Sequence, residues 1–163
     1  MIEVEVVGIR LELPANQPVL VLRDLDGTRY LPLWIGNSEA TAISLAVDGI
    51  APPRPLTHDL LVDIIEHLDD HVLSTAITEL VDGVYYAQIE FANHGVVSAR
   101  PSDAVALALR CDVPIFVSQD VLDEAGMDVV DDEDLDDPDA QISDSEVEKF
   151  RAFLDEIKPE DFS

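Results

Sequence analysis

The sequence predicts an α+β protein, in which a mixed, mostly antiparallel sheet with hairpins packs around a buried helix and an amphipathic C-terminal helix follows. Three observations predict this fold class. Apolar and charged residues alternate over residues 2–13, as in a half-buried strand. Two Asp-Gly pairs, at 26–27 and 82–83, separate apolar runs and favour the tight turns of antiparallel hairpins. Residues 104–109 are all apolar, so a helix there would be buried on every side.

The first three strands are predicted to form one sheet. They cover residues 2–13, 19–22 and 30–35. Pro14 ends the first strand. Pro32 has no N–H for the ladder, so the third strand is expected at an edge or with a bulge.

Two helices are predicted next, separated by a stiff proline-rich linker at 51–55. The first follows Gly36 and has four apolar residues at helical spacing: Ile43, Ala46, Val47 and Ile50. Thr57 is predicted to cap the second helix. Its core stripe is predicted to contain Leu60, Leu61, Ile64, Ile65 and Leu68.

Further strands are predicted at 71–80, 84–92 and 96–99, and a buried strand at 113–117. The apolar helix lies between the last two, with Ser102 as its predicted cap and with Asp103 and Arg110 suiting the two ends of its dipole. Ser118 can cap a short helix that ends near Gly126. These elements predict one domain over residues 1–126. The single cysteine, Cys111, excludes an intrachain disulfide and is expected to be a buried, unreactive thiol.

The chain is strongly acidic, with 35 Asp and Glu against nine Lys and Arg and a formal net charge of −26. This balance excludes the broad basic surface typical of nucleic-acid-binding proteins, so a polyanion would need a local positive site. Acidic residues dominate 127–142, which we predict to be a mobile linker. Residues 143–163 begin with a capping box and carry an apolar stripe, which predicts a helix that docks on its own domain or on a second subunit.

The N-terminus shows no basic region followed by an apolar run, and no stretch approaches the length of a membrane span. We therefore expect a cytoplasmic protein with no membrane partner. A homodimer or a larger homo-oligomer is expected.

Three stretches occur together in a specific order and spacing: 31–40 (LPLWIGNSEA), 54–61 (RPLTHDLL) and 99–110 (ARPSDAVALALR). Together they resemble the bifunctional nuclease domain family, and the likeness covers residues 2–126. The resemblance implies a mixed α+β domain that cleaves both RNA and DNA. Many members of that family have an acidic residue just before the third stretch, where this chain has Ser98.

The residue types that phosphodiester hydrolysis needs occur at or near three predicted helix starts, which would form one pocket if they converge. The predicted catalytic residues are His58, Asp59, Arg100 and Asp103, with His58 as a general base or metal ligand. The predicted substrate-binding residues are Arg54, Thr57, Ser102 and Trp34. The candidate ligands for Mg²⁺ or Mn²⁺ are Glu39, Asp59 and Asp103. No organic cofactor is expected.

The same residues also have structural interpretations. Thr57 and Ser102 could be ordinary caps, and His58 could be a core histidine bonded to a carbonyl. Asp59 and Asp103 could each form a structural salt bridge with Arg54 or Arg100. A non-enzymatic interaction or regulatory module, with the acidic tail and terminal helix binding a partner, is therefore the alternative function. The net charge favours this alternative, and the family resemblance favours a nuclease.

Overall fold

Eight strands and four helices make up the described part of the computed structural model, which covers residues 1–128. In chain order they are β1 (Ile2–Glu12), β2 (Gln17–Asp24), β3 (Arg29–Trp34), α1 (Asn37–Val47), α2 (Thr57–His67), β4 (Val72–Val81), β5 (Val84–Phe91), β6 (Gly95–Ala99), α3 (Pro101–Cys111), β7 (Ile115–Val117), α4 (Gln119–Ala125) and β8 (Met127–Asp128). The predicted α+β class is confirmed. None of the described helices is long and apolar enough to cross a membrane.

All eight strands belong to one sheet, in the order β6-β5-β4-β7-β1-β2-β3-β8. Neighbouring strands are antiparallel except for β4 and β7, which are parallel. Parallel neighbours need a long crossover, and here the crossover contains α3. β8 pairs with β3 only at Arg29 and Tyr30, so no described strand lies beside the outer side of β3 at Pro32. An open side suits Pro32, because proline has no N–H to donate to a neighbouring strand.

The two Asp-Gly pairs both lie in hairpin connections, as predicted. Asp82 and Gly83 have φ values of 51° and 78°, which suit a two-residue turn between β4 and β5. The connection between β2 and β3 is longer. There the buried Asp24 carboxylate accepts hydrogen bonds from the backbone N–H groups of Thr28 and Arg29.

Helix α3 is the central helix, as its composition predicts. Residues 104–108 are all buried, and α3 packs against α1, α2, β4 and β5. Cys111 ends this helix and is partly buried, and burial raises the pKa of its thiol, consistent with an unreactive cysteine.

The apolar stripes of α1 and α2 are less buried than the sequence predicts. Ile43 of α1 is buried, but Val47 and the following Ile50 are exposed. α2 packs on α3 through a different side, on which His58 is buried and Val62 and Ile65 are partly buried. The predicted core stripe is therefore wrong for four of its five residues, which are 41 to 65% exposed: Leu60, Leu61, Ile64 and Leu68.

Of the three predicted hydroxyl caps, only Ser118 is confirmed, since its side chain accepts a hydrogen bond from the Val121 N–H at 3.2 Å. Thr57 is the first residue of α2 and Ser102 is the second residue of α3, so both lie inside their helices. Neither helix has a side-chain hydrogen bond from its cap residue. The capping predictions for Thr57 and Ser102 are therefore wrong.

The first two residues of the predicted acidic linker belong to β8, so strand pairing continues past residue 126. The rest of that linker and the predicted helix at 143–163 lie outside the described residues.

Candidate active site

Three helix N-termini meet at one charged cluster, which consists of Glu39, His58, Arg100 and Asp103 and is called the Arg100 cluster below. Arg100 Nε donates to Asp103 Oδ2 at 2.7 Å. Arg100 Nη2 donates to Glu39 Oε1 at 2.9 Å and to Asp103 Oδ1 at 3.1 Å. His58 Nε2 lies 3.1 Å from Asp103 Oδ1. The structure therefore brings together three of the four predicted catalytic residues and two of the three predicted metal ligands, Asp103 being both.

Local sequence places each of these groups in or just before the first turn of a helix, where the dipole favours a carboxylate. Pro101 suits the first position of α3, because the N–H that it lacks would have no helical partner. It also leaves Arg100 in an extended conformation, with φ −74° and ψ 147°. Gly36 precedes α1, and a Cβ atom at this position would overlap Glu39 Oε2. The glycine therefore provides the space that the Glu39 carboxylate occupies.

The Arg100 cluster is closed at one end and open at the other. The His58 side chain is 11% exposed, whereas the Arg100 side chain is 66% exposed. Partial burial opposes ionisation of Asp103, but the hydrogen bonds from Arg100 and His58 outweigh it and hold the pKa of this carboxyl below its usual value. Hydrogen bonds to Asp103 and Glu39 raise the pKa of the Arg100 guanidinium. The cluster therefore presents a permanent cation to solvent.

The ionised Asp103 carboxylate determines which ring nitrogen of His58 carries the hydrogen. An ionised carboxylate can only accept hydrogen bonds, so the hydrogen between the two side chains belongs to His58 Nε2. This assignment leaves His58 Nδ1 as the ring atom that can accept a proton. A carboxylate that fixes an imidazole in this way is the usual arrangement for general-base catalysis.

Asp59, the fourth predicted catalytic residue, binds Arg110 rather than a member of the Arg100 cluster. Arg110 Nε donates to Asp59 Oδ1 at 2.6 Å, and the backbone N–H of Leu56 donates to Asp59 Oδ2 at 2.8 Å. These hydrogen bonds lower the pKa of Asp59. Arg110 also donates to the carbonyls of Ala106 and Ala42, at 2.8 and 3.1 Å. Asp59 therefore helps to hold α1, α2 and α3 together.

This role of Arg110 was not predicted from the sequence, where the residue only suits the helix dipole. The Arg110 side chain is 10% exposed, so it is nearly buried. The available signal was one cation at the end of an otherwise apolar helix, because a buried guanidinium needs partners.

The four predicted substrate-binding residues differ in exposure and in the contacts they make. Thr57 is exposed beside His58, and Ser102 is buried beside Asp103. Arg54 is exposed in the linker before α2, and its side chain forms no hydrogen bond or ion pair with residues 1–128. The half-exposed Trp34 donates its indole N–H to Glu12 Oε2 at 2.5 Å. A substrate-binding role for these four residues stays a prediction.

The candidate metal ligands do not form one group. Glu39 and Asp103 share Arg100, whereas Asp59 pairs with Arg110. Across residues 1–128, no three His, Cys, Asp or Glu side chains are arranged so that they could hold a metal ion. Binding of Mg²⁺ or Mn²⁺ by these three carboxylates stays a prediction.

A family model described as the bifunctional nuclease domain matches residues 20–130, which include the whole Arg100 cluster. The chain belongs to the bifunctional nuclease domain family. An uncharacterized protein of Mycobacterium tuberculosis is 51% identical over 160 residues, covering 98% of this chain and 97% of its own length.

Plant members of the family are longer. Bifunctional nuclease 1 of Oryza sativa subsp. indica is 30% identical over 129 residues, covering 75% of this chain and 39% of its own length. Bifunctional nuclease 1 of Arabidopsis thaliana is 28% identical over 123 residues, covering 71% of this chain and 38% of its own length. This bifunctional nuclease domain therefore spans about two fifths of the plant relatives it matches.

Proposed function

We propose that this bifunctional nuclease domain hydrolyses phosphodiester bonds of RNA and DNA at the Arg100 cluster. One observation carries the proposal: an exposed guanidinium is held where three helix N-termini meet, beside a histidine that a carboxylate orients. The family membership and the names of the plant relatives support the same activity.

Arg100 is the proposed phosphate-binding group. Its Nε and Nη2 atoms are held by the two carboxylates of the cluster, whereas Nη1 has no hydrogen-bond partner within residues 1–128. A phosphate oxygen can bind Nη1 while the carboxylates fix the plane of the guanidinium. The N-termini of α1, α2 and α3 add partial positive charge in the same region. Nη1 of Arg100 and the three helix N-termini are therefore the groups through which this acidic chain, with a net charge of −26, would contact a polyanion.

His58 is the proposed proton acceptor, through Nδ1. Asp103 holds the other ring nitrogen and stabilises the imidazolium that forms when His58 takes a proton from the attacking water. Asp103 and Glu39 are positioning residues, because each acts on substrate through Arg100 or His58.

One guanidinium faces two carboxylates in the cluster, so one negative charge is in excess while His58 is neutral. A divalent cation that arrives with the nucleic acid would reduce the repulsion between this charge and phosphate. We therefore expect Mg²⁺ or Mn²⁺ to increase the rate of cleavage, although no step above depends on a bound metal.

The test compares single-stranded RNA and DNA cleavage by the wild type with cleavage by Arg100→Gln and His58→Gln. Each reaction is run with Mg²⁺, with Mn²⁺ and with a chelator. Loss of a transition-state charge stabiliser or of a general base lowers rates by about 100-fold or more, which is the expected result for each variant.

The chain provides a matched control for each variant. Arg23 forms an exposed ion pair with Glu5, and His94 forms a histidine–carboxylate pair with Asp70. Arg23→Gln and His94→Gln should keep cleavage within about three-fold of the wild type, because neither residue belongs to the cluster. If purified wild type does not cleave, or if all four variants cleave equally, the nuclease proposal at this site is wrong. A folded protein without cleavage would favour the interaction module.

A further inference from the structure

Strand β6 forms an unprotected edge of the sheet. Among the described strands it pairs only with β5, and its register with β5 has no bulge. Its sequence, Gly-Val-Val-Ser-Ala, has no charge and no proline. Val96 and Val97 are 54% and 50% exposed. Proteins usually protect such an edge with charges, prolines or bulges, because its free N–H and C=O groups can pair with another chain.

Within residues 1–128, no other element covers one apolar side of helix α2. Leu60, Leu61, Ile64 and Leu68 lie on this side and are exposed. The acidic residues Asp59 and Asp63 line a groove beside the end of α1. Because successive residues turn by about 100° around a helix, the apolar side faces away from that groove.

The apolar side of α2 and the β6 edge are connected through the turn between β5 and β6. Asp70, which follows α2, accepts hydrogen bonds from the Asn93 N–H at 3.0 Å and from His94 Nδ1 at 2.5 Å. Val97 lies opposite the buried Ile89, so it points to the face of the sheet that the helices cover. Since Val97 is nevertheless half exposed, the helices do not cover the edge strand β6.

We propose that a second copy of this chain binds this surface, with β6 pairing antiparallel to its own copy about a two-fold axis. The apolar side of α2 contributes to the same interface. A copy of β6 is complementary to β6, because antiparallel pairing satisfies the free N–H and C=O groups of both strands at once. Charge also favours a copy: β6 and the apolar side of α2 present no carboxylate of their own, so two highly acidic chains can meet here through uncharged residues. The proposal does not depend on nuclease activity.

Sedimentation equilibrium of the full chain tests the interface. The wild type should be a dimer, and Val97→Lys and Leu61→Lys should each raise the dimer dissociation constant by about 30-fold or more, as expected for central interface residues. Val84→Lys is the matched control, since Val84 is a strand valine of similar exposure at the distant turn between β4 and β5. Each lysine reduces the net negative charge, so weaker association cannot come from general repulsion.

A cysteine at the proposed axis gives an independent readout. Pairing all five residues of β6 about a two-fold axis places Val97 opposite Val97 of the partner subunit, with Cβ atoms about 4.5–5.5 Å apart, close enough for a disulfide after small adjustments. In a Cys111→Ser background, mild oxidation should cross-link Val97→Cys at least about ten-fold faster than Val84→Cys. Far-UV circular dichroism confirms that each variant is folded.

Three results would overturn the proposal. They are a wild type that stays monomeric at roughly 100 μM, a dimer that both lysine variants leave unchanged, and cross-linking no faster at position 97 than at position 84. Each would show that the exposed edge and the apolar side of α2 serve another partner or none.

Discussion

Replacing Arg110 with methionine should destabilise the domain by about 3–4 kcal/mol. The guanidinium donates to the Asp59 carboxylate and to the carbonyls of Ala42 and Ala106, and the side chain is 10% exposed. We assign about 1.5 kcal/mol to the ion pair, since partial exposure of Asp59 weakens it, and about 1 kcal/mol to each carbonyl bond. Methionine fills much of the same volume but donates no hydrogen bond.

Urea unfolding at pH 7, followed by circular dichroism, measures this loss. Arg110→Lys keeps the positive charge but not the several N–H donors of the guanidinium. Its loss of unfolding free energy should therefore be about half that of Arg110→Met. Adding Asp59→Asn to Arg110→Met should recover part of the stability, because the single variant leaves a carboxylate without its cation. A loss below about 1 kcal/mol for Arg110→Met would show that apolar packing alone holds the three helices. No recovery in the double variant would show that the Asp59 carboxylate left without its cation adds nothing to the loss.

Three further predictions concern single residues. Burial opposes ionisation of Asp70, but hydrogen bonds from His94 and two backbone N–H groups outweigh it and lower its pKa. Its contribution to stability is therefore complete above its unfolded pKa of about 3.9 and is lost as pH falls through the lower folded value. The difference between the urea midpoints of Asp70→Asn and wild type should be largest at pH 7 and should shrink as the pH falls below the unfolded value. Ser118→Ala should cost about 1 kcal/mol in the same assay, since it removes the cap of α4. Gly36→Ala should remain folded but displace Glu39 from Arg100, so its cleavage rate should match that of Glu39→Gln, with no further loss in the double variant.

The parts of the fold that the sequence predicts are those with local signals. The alternation over β1, the turn at Asp82 and Gly83, and the apolar composition of α3 each depend on residues close together in the chain. The convergence of the three helix starts was also predictable in part, because Asp103 and His58 both lie where a helix begins. Their hydrogen bond joins residues 45 positions apart, and only the packing of α2 on α3 creates it.

The mistaken features depend on tertiary structure. The periodicity of α2 showed that the helix has an apolar side, but it could not show that α3 would contact Val62 and Ile65 instead of that side. The pairing of Asp59 likewise required knowing that Arg110 lies under α2. A carboxylate near a helix N-terminus has the same sequence signature whether it faces substrate or a buried arginine.

The composition of α3 explains why the candidate site forms where it does. Because the middle of α3 is apolar on every side, its charged side chains lie at its two ends, and both ends bind the same two neighbouring helices. At the N-terminal end, Arg100 and Asp103 bind Glu39 of α1 and His58 of α2. At the C-terminal end, Arg110 binds a carbonyl of α1 and a carboxylate of α2. Each neighbouring helix is therefore fixed at two points along α3, so the geometry of the Arg100 cluster depends on Arg110, which does not belong to it.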